Sequence, residues 1–345
     1  LSPAKHEALL RSRDRAIRAS AFATAALDED FAAPLIPVLV AALENKDDDL
    51  AARVNAAVAL ASAQPARREV GGALIAVLTD TEEHPFLRAM AIYTLGALQP
   101  EVGAGLREIL GVLKDRDPLV RGAAASSLAA CVSGQSGEAP AADAGLRQLV
   151  ASALRQTLDD PDRGVRLAAV GALDSIGPRA DALPRLIQFL GDNDPEMREA
   201  AADAIGSMGA EGAPGLPALV AGIKDESQAV RLATAYAINR MGASALAAMP
   251  GLIAVLKDKK EAWSGVQTFA RQALGTFGPP AVPTLTEALE APEAPLRAGA
   301  AYALAQIGAP AASAVPALAR LLKDEDGHVQ VDAALALGAI GTAAK

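Results

Sequence analysis

The chain has 345 residues, 51% of them hydrophobic but only 3% aromatic, with 32 basic and 41 acidic side chains and a net charge of −9. Apolar content this high excludes a disordered chain, and the negative total argues against a nucleic-acid groove, which needs a basic stripe. Cys131 is the only cysteine, so no intrachain disulfide framework exists. One cysteine slightly favours a reducing, cytoplasmic setting without excluding export. No stretch reads as an unbroken membrane span. The first residue is Leu1, which reads as a trimmed or processed chain that could have carried a targeting segment.

Residues 1–11 read as a helix with Pro3 near its start, and Asp14 to Leu27, marked by Arg18, as an opening half-repeat. Pro34 to Leu43, PLIPVLVAAL, is the first helix of the next pair. A proline is tolerated there because an early helical amide has no acceptor. From this point a two-helix unit recurs. Its clearest copy is Asp159 to Gly177, DDPDRGVRLAAVGALDSIG: an acidic turn with a proline, then a helix stopped by Gly177. Its small or apolar positions are Val165, Ala168, Ala169, Ala172, Leu173 and Ile176. Arg166 is a useful mark, with Asp160 six residues before it and Gly177 eleven after.

Equivalent marks fall at 18, 53, 88, 121, 166, 198, 231, 267, 297 and 330. Each interval is long enough for two short helices and two turns, giving about nine complete pairs after the opening half. First helices share a proline near the start, as at Pro184, Pro217, Pro250, Pro283 and Pro316. None can bury its apolar stripe alone, so neighbouring pairs must stack. The longest interval holds GQSGEAPAADAG, residues 134–145, which reads as a loop insertion. EAWS at 261–264 is a second irregularity that puts Trp263 at a turn. There it plugs a junction or stands as an exposed anchor.

The acidic turn, the Val or Met before Arg, the alanine pairs and the closing glycine resemble the HEAT-repeat family at Asp160–Gly177 and Asp192–Gly209. The likeness is to the short bacterial repeats also found in phycobiliprotein lyases, and it runs from about Asp14 to Gly341. It implies an all-α fold, a right-handed alpha-alpha superhelix forming one solenoid over residues 1–345. Second helices would line its concave side and first helices its convex side.

The pairs Asp160–Arg166, Asp192–Arg198, Asp225–Arg231, Asp115–Arg121 and Asp47–Arg53 read as a structural ladder. In it each carboxylate accepts guanidinium or helix-terminal donors. The resemblance implies that the arginine links adjacent repeats. Arg297 faces Ala291 at that offset, and Gln267 and Gln330 lack the charge. The ladder is therefore expected to weaken or change partners toward the C-terminus.

Seven and ten residues past the mark the positions are apolar, as at Leu173, Ile205, Ile238, Met208 and Met241, so they and Cys131 read as core. Five past the mark stand Tyr93, Asp203, Tyr236, Gln272 and Tyr302, which include all three tyrosines of the chain. With Glu199, Asn239 and Arg240 beside them they form the candidate partner-binding surface, Tyr236, Asn239 and Arg240 first. The competing reading is helix-edge packing.

Catalysis has little support. His6, His84 and His328 are scattered, and no metal motif, paired cysteine set or phosphate-cradling loop is present. His6-Glu7 alone cannot supply the ligand pairs of the HEAT-type deoxyhypusine hydroxylase. The expectation is a non-catalytic scaffold binding a protein or peptide on its concave face, with no cofactor, no metal, no nucleic acid and no membrane insertion. The alternative is a phycobiliprotein-lyase-like subunit presenting a bilin or its acceptor protein. Oligomeric state stays open.

Overall fold

A computed structural model describes residues 8–9, 12, 20–21, 29–62, 67–98, 103–133, 144–177 and 180–341. The half-repeat at 14–27 and the insertion over 134–143 lie outside the described residues. Every regular element described is helical, and the chain divides into two compact units, Leu1–Ile176 and Gly177–Lys345.

Among the described residues the first unit contains four helical pairs: α1 (Glu29–Glu44) with α2 (Leu50–Ala59), α3 (Arg67–Thr79) with α4 (Pro85–Ala97), α5 (Gly103–Gly111) with α6 (Pro118–Ser133), and α7 (Ala144–Thr157) with α8 (Arg163–Ile176). The second contains five: α9 (Leu183–Phe189) with α10 (Pro195–Ser207), α11 (Leu216–Gly222) with α12 (Gln228–Met241), α13 (Met249–Lys257) with α14 (Gly265–Thr276), α15 (Val282–Ala288) with α16 (Ala294–Ile307), and α17 (Val315–Leu321) with α18 (Gly327–Ile340). In each unit the even helices stack closely on one another, whereas the odd ones pack mainly on their own partners. This is an all-α, HEAT-like alpha-solenoid architecture.

Local chemistry explains where the helices begin and end. Proline stands at the first turn of α9, α11, α13, α15 and α17, where its missing N–H costs nothing. Gly177, Gly209, Gly242, Gly278, Gly308 and Gly341, each eleven past its mark, have φ between 56° and 84°. That left-handed stop is strained for any side chain. The one described run long and apolar enough to cross a bilayer, Gln228–Lys257, is broken at Gly242 and by non-helical Ala245 into α12 and α13. Its two segments belong to successive helical pairs of the stack.

The positions seven past the mark are buried: Leu173, Ile205, Ile238, Leu274 and Leu304. Each such side chain contributes about 2 kcal/mol by leaving water. Met208, Met241 and Phe277 are buried beside them, while Ile176 and Ile307 are half-buried. Cys131 is buried, and that burial pushes its thiol up to about 11. It is a small apolar filler.

The acid–arginine spacing resolves into two contacts rather than one. The arginine takes the backbone carbonyl six residues back, and its guanidinium pairs with the carboxylate of the following repeat. Arg198 Nη1 donates to the Asp192 and Asn193 carbonyls at 2.9 and 3.1 Å, while Nε and Nη2 grip Asp225 at 2.8 Å each. Arg121 does the same with the Asp115 carbonyl and the Asp160 carboxylate. Arg166 donates to the Asp160 and Pro161 carbonyls. A backbone acceptor needs no acidic side chain, which is why Arg297 makes the full contact over Ala291. It donates to the Ala291 carbonyl and clamps Asp324 at 2.7 and 2.8 Å. The expected weakening at Arg297 does not occur.

Asp47 is likewise no partner of Arg53 in this geometry. Arg53 donates to the Leu43 carbonyl, ten residues back, and forks onto Glu83. Arg88 repeats this with the Leu78 carbonyl and Asp115. The ladder lacks its carboxylate contact at Arg166, which makes the backbone contacts alone, and it is interrupted again at Gln267, whose Nε2 donates to the Val255 and Leu256 carbonyls. Gln330 Nε2 donates to the Asp324 carbonyl.

Each aspartate of the ladder also ties its own turn. Asp160, Asp192, Asp225 and Asp324 accept the amide two residues on, from Asp162, Asp194, Ser227 and Asp326. Arg121 and Arg297 hold the Asp160 and Asp324 carboxyls below the usual range. For Asp225 burial pulls upward, and the bonds from Arg198 and the Ser227 amide outweigh it. In Asp160, Asp225 and Asp324 the charged form is favoured because the turn and the neighbouring repeat both donate to the carboxylate.

Candidate functional site

Residues five past the mark sit on the exposed edge of the even layer. In the first unit this is Tyr93 on α4, 42% exposed. In the second, α12 brings Tyr236, Asn239 and Arg240 within one turn of each other. The Arg240 guanidinium lies 5.7 Å from the centre of the 38%-exposed Tyr236 ring. That ring also meets Phe269 of α14, with centroids 5.0 Å apart and planes tilted by 56°. Asn239 is half-buried, and its Oδ1 is buried without a hydrogen-bond partner. Glu199 and Asp203 are half-buried on α10, the helix preceding α12 in the stack.

Tyr302 on α16 is half-buried, covered by the Arg271 guanidinium of α14 at 4.3 Å, and its hydroxyl accepts from Gln306 Nε2 at 3.2 Å. Arg271 continues to Asp332 of α18 at 3.7 Å. Burial pushes the Asp332 carboxyl up, against the pull of Arg271 and His328. Phe269, Arg271 and Asp332 are members of this surface that the spacing rule missed. They lie two or four residues past their marks, and the one signal for them was an aromatic outside the core positions in TFARQAL.

Trp263 does not plug a junction completely. It is 48% exposed, with φ at 62°, the one non-glycine at positive φ among the described residues. Its backbone N–H donates to Gln267 Oε1 at 2.8 Å, which offsets part of that strain. Its ring contacts His328 of α18, centroids 4.4 Å apart.

The even-layer edge of the second unit therefore runs from carboxylates on α10 to stacked rings and guanidiniums on α12, α14 and α16. Aromatic rings with hydroxyls and flat cations suit contact with a polypeptide. Among the described residues no group of three or more His, Cys, Asp or Glu could hold a metal ion.

Comparison with known proteins agrees with this architecture. A family model described as HEAT repeats matches residues 151–216, 249–315 and 282–345. No curated protein matches the chain. The crystal structure of an engineered protein from the Northeast Structural Genomics Consortium is similar, with a TM-score of 0.57, 21% identity and 98% of each chain covered. At that identity the likeness concerns the fold alone. Over residues 151–216 and 249–345 the chain belongs to the HEAT-repeat family.

Proposed function

We propose that this protein is a non-catalytic scaffold that binds a protein or peptide on the even-helix face of its second unit. The observation that supports the reading is the row formed by Tyr236, Phe269 and Tyr302, with Arg240 and Arg271 laid on its rings. Rings held by neighbouring side chains lose little freedom on binding, so their contact area converts into affinity efficiently. Recognition of this kind needs anchors on a rigid surface and no reacting group.

Partner capture from extracts of the source organism tests it, comparing the native chain with a Tyr236→Ala, Arg240→Ala double variant. The variant should lose most of its captured partner while helicity and thermal unfolding stay close to native. Equal capture by both would reject the site. Incubation with a bilin and a candidate acceptor protein, read by absorbance and covalent adduct, separates this function from chromophore presentation.

A further inference from the structure

In the first unit, α2, α4 and α6 are successive even helices whose only charged residues are Arg53, Arg88 and Arg121, and the ladder holds all three. No free charge therefore faces solvent from these helices, in a protein of net charge −9. Val58, Phe86, Tyr93 and Leu119 instead stand 37–44% exposed on them. On α4, Phe86, half-buried Met90, Tyr93 and exposed Ala97 recur every three or four residues. They form one ridge about 16 Å long. An apolar patch of this kind marks a contact surface.

Beside the ridge the surface drops. Five past the mark, the row across α2, α4, α6 and α8 runs Val58, Tyr93, Ser126, Gly171. Gly122 and Ala130 extend the low ground along α6. Glycine inside a helix costs about 1 kcal/mol against alanine. At Gly206 the stack explains that cost, since an added Cβ would stand 2.6 Å from the Ala237 Cα. At Gly171 nothing lies within 4 Å of the added carbon, and at Gly122 only Val165 Cγ2 does, at 4.0 Å. Packing inside the unit requires neither glycine. What they provide is room above α6 and α8, against the wall of Phe86, Met90 and Tyr93. With helix axes about 8–10 Å apart, that low ground is as wide as one further helix.

We propose that this face binds an amphipathic helix of a partner protein, laid along α6 with its apolar side against the α4 ridge and basic residues at its borders. A ridge beside a floor of small residues is what helix-in-groove recognition uses, and Met90 supplies adaptable contact. Charge selects among the occupants of an apolar face. A second copy of net charge −9 and an anionic bilayer are both repelled at long range. A helix with basic borders is attracted, because Asp47 and Glu82 are exposed at the rim where α2 and α4 begin. Lys46 and Arg116 at that rim are held by Asp80 and the Thr81 carbonyl. This site does not depend on the surface proposed in the second unit.

Fluorescence anisotropy tests it with a labelled helical peptide about five turns long, leucines on one face and lysine and glutamine elsewhere. The peptide should bind saturably, one per chain, in the micromolar range. A peptide of the same composition with its leucines scattered around the helix should bind about ten-fold more weakly. So should a Phe86→Ser, Tyr93→Ser variant toward the first peptide. A Gly122→Gln, Gly171→Gln variant raises the floor and should lose binding about ten-fold while its urea midpoint rises, which misfolding cannot produce. Tyr236→Ala, Arg240→Ala should bind the peptide as the native chain does. Absence of saturable binding, equal binding of the scattered peptide, or native affinity in the double-glycine variant would overturn the site. A dimer seen in sedimentation and dissociated by that variant would give the face to a second copy, and flotation with phosphatidylcholine vesicles abolished by the double-serine variant would give it to lipid; either overturns the helix.

Discussion

Two neighbouring joints of the second unit show the same design closed and open. Where α10 meets α12, Arg198 clamps both oxygens of Asp225, and Gly206 lets the helices approach until an added Cβ would stand 2.6 Å from the Ala237 Cα. Where α12 meets α14, Arg231 takes one oxygen of Glu261, and the register position of Gly206 is held by Asn239, with its buried acceptor unpaired. The repeat thus tolerates a looser joint without losing its stack. What fills the difference is chemistry the first joint has no room for: an open guanidinium on the odd layer, and Tyr236 against Phe269 on the even layer.

The difference is sharpest in the arginines. Arg198→Ala strands a largely buried Asp225 and should cost about 3–5 kcal/mol in urea unfolding. Arg231→Ala removes one carboxylate bond and leaves Glu261 with Ser264, so about 1.5 kcal/mol is expected. Equal losses would erase the distinction between the joints. Next in size is Gly206→Ala, which forces the α10 and α12 backbones apart and should cost about 2 kcal/mol despite better helix propensity. Gly171→Ala on α8, where nothing lies within 4 Å of the added carbon, should stabilise by up to about 1 kcal/mol. A stabilising Gly206→Ala would show that the close approach is not needed.

Most of the fold was legible, because helix pairs leave a periodic record. The burial of Ile205 and Ile238 and the left-handed Gly209 and Gly242 follow from offsets of seven and eleven alone. The joints were only half legible. Asp192 is six residues before Arg198, yet it gives Arg198 its carbonyl, and the carboxylate comes from Asp225, 27 residues on. In a repeating sequence both residues recur at every copy, so spacing cannot tell which copy meets which. Trp263 shows another limit: its positive φ depends on Gln267 reaching back to its amide, which no composition rule exposes. Lys224 and Lys260 are 36 residues apart and become neighbours only when α11 and α13 stack.

Acid probes the Arg198–Asp225 joint by a smaller effect. The folded-state value of Asp225 is lowered, so its stabilising contribution is complete above the ordinary carboxylate value of 3.8 and disappears as pH falls through the lowered one. Unfolding free energy of the native chain should therefore fall with acidification below about pH 4. Asp225→Asn, less stable at neutral pH, should show a shallower acid slope because one proton-linked contact is gone. An unchanged slope measured by urea midpoints between neutral pH and acid would place the linkage elsewhere.

The smallest effect belongs to Asn239, where the loose joint can be given the residue of the tight one. An acceptor buried without a partner opposes folding, whereas removing the amide leaves nothing unsatisfied. Asn239→Ala gains helix propensity as well and should stabilise by about 1 kcal/mol. Asn239→Gly gives up a few tenths of a kcal/mol in propensity, so near-neutral stability in that variant isolates the relief of the acceptor. The sign decides what the looseness is. If both variants lose more than about 1 kcal/mol, the amide holds α12 in place and the two joints are equally closed by different means. If neither does, Asn239 is tolerated inside the stack at a cost that Gly206 avoids, and the opening beside Arg231 is a feature the repeat retains against its own stability.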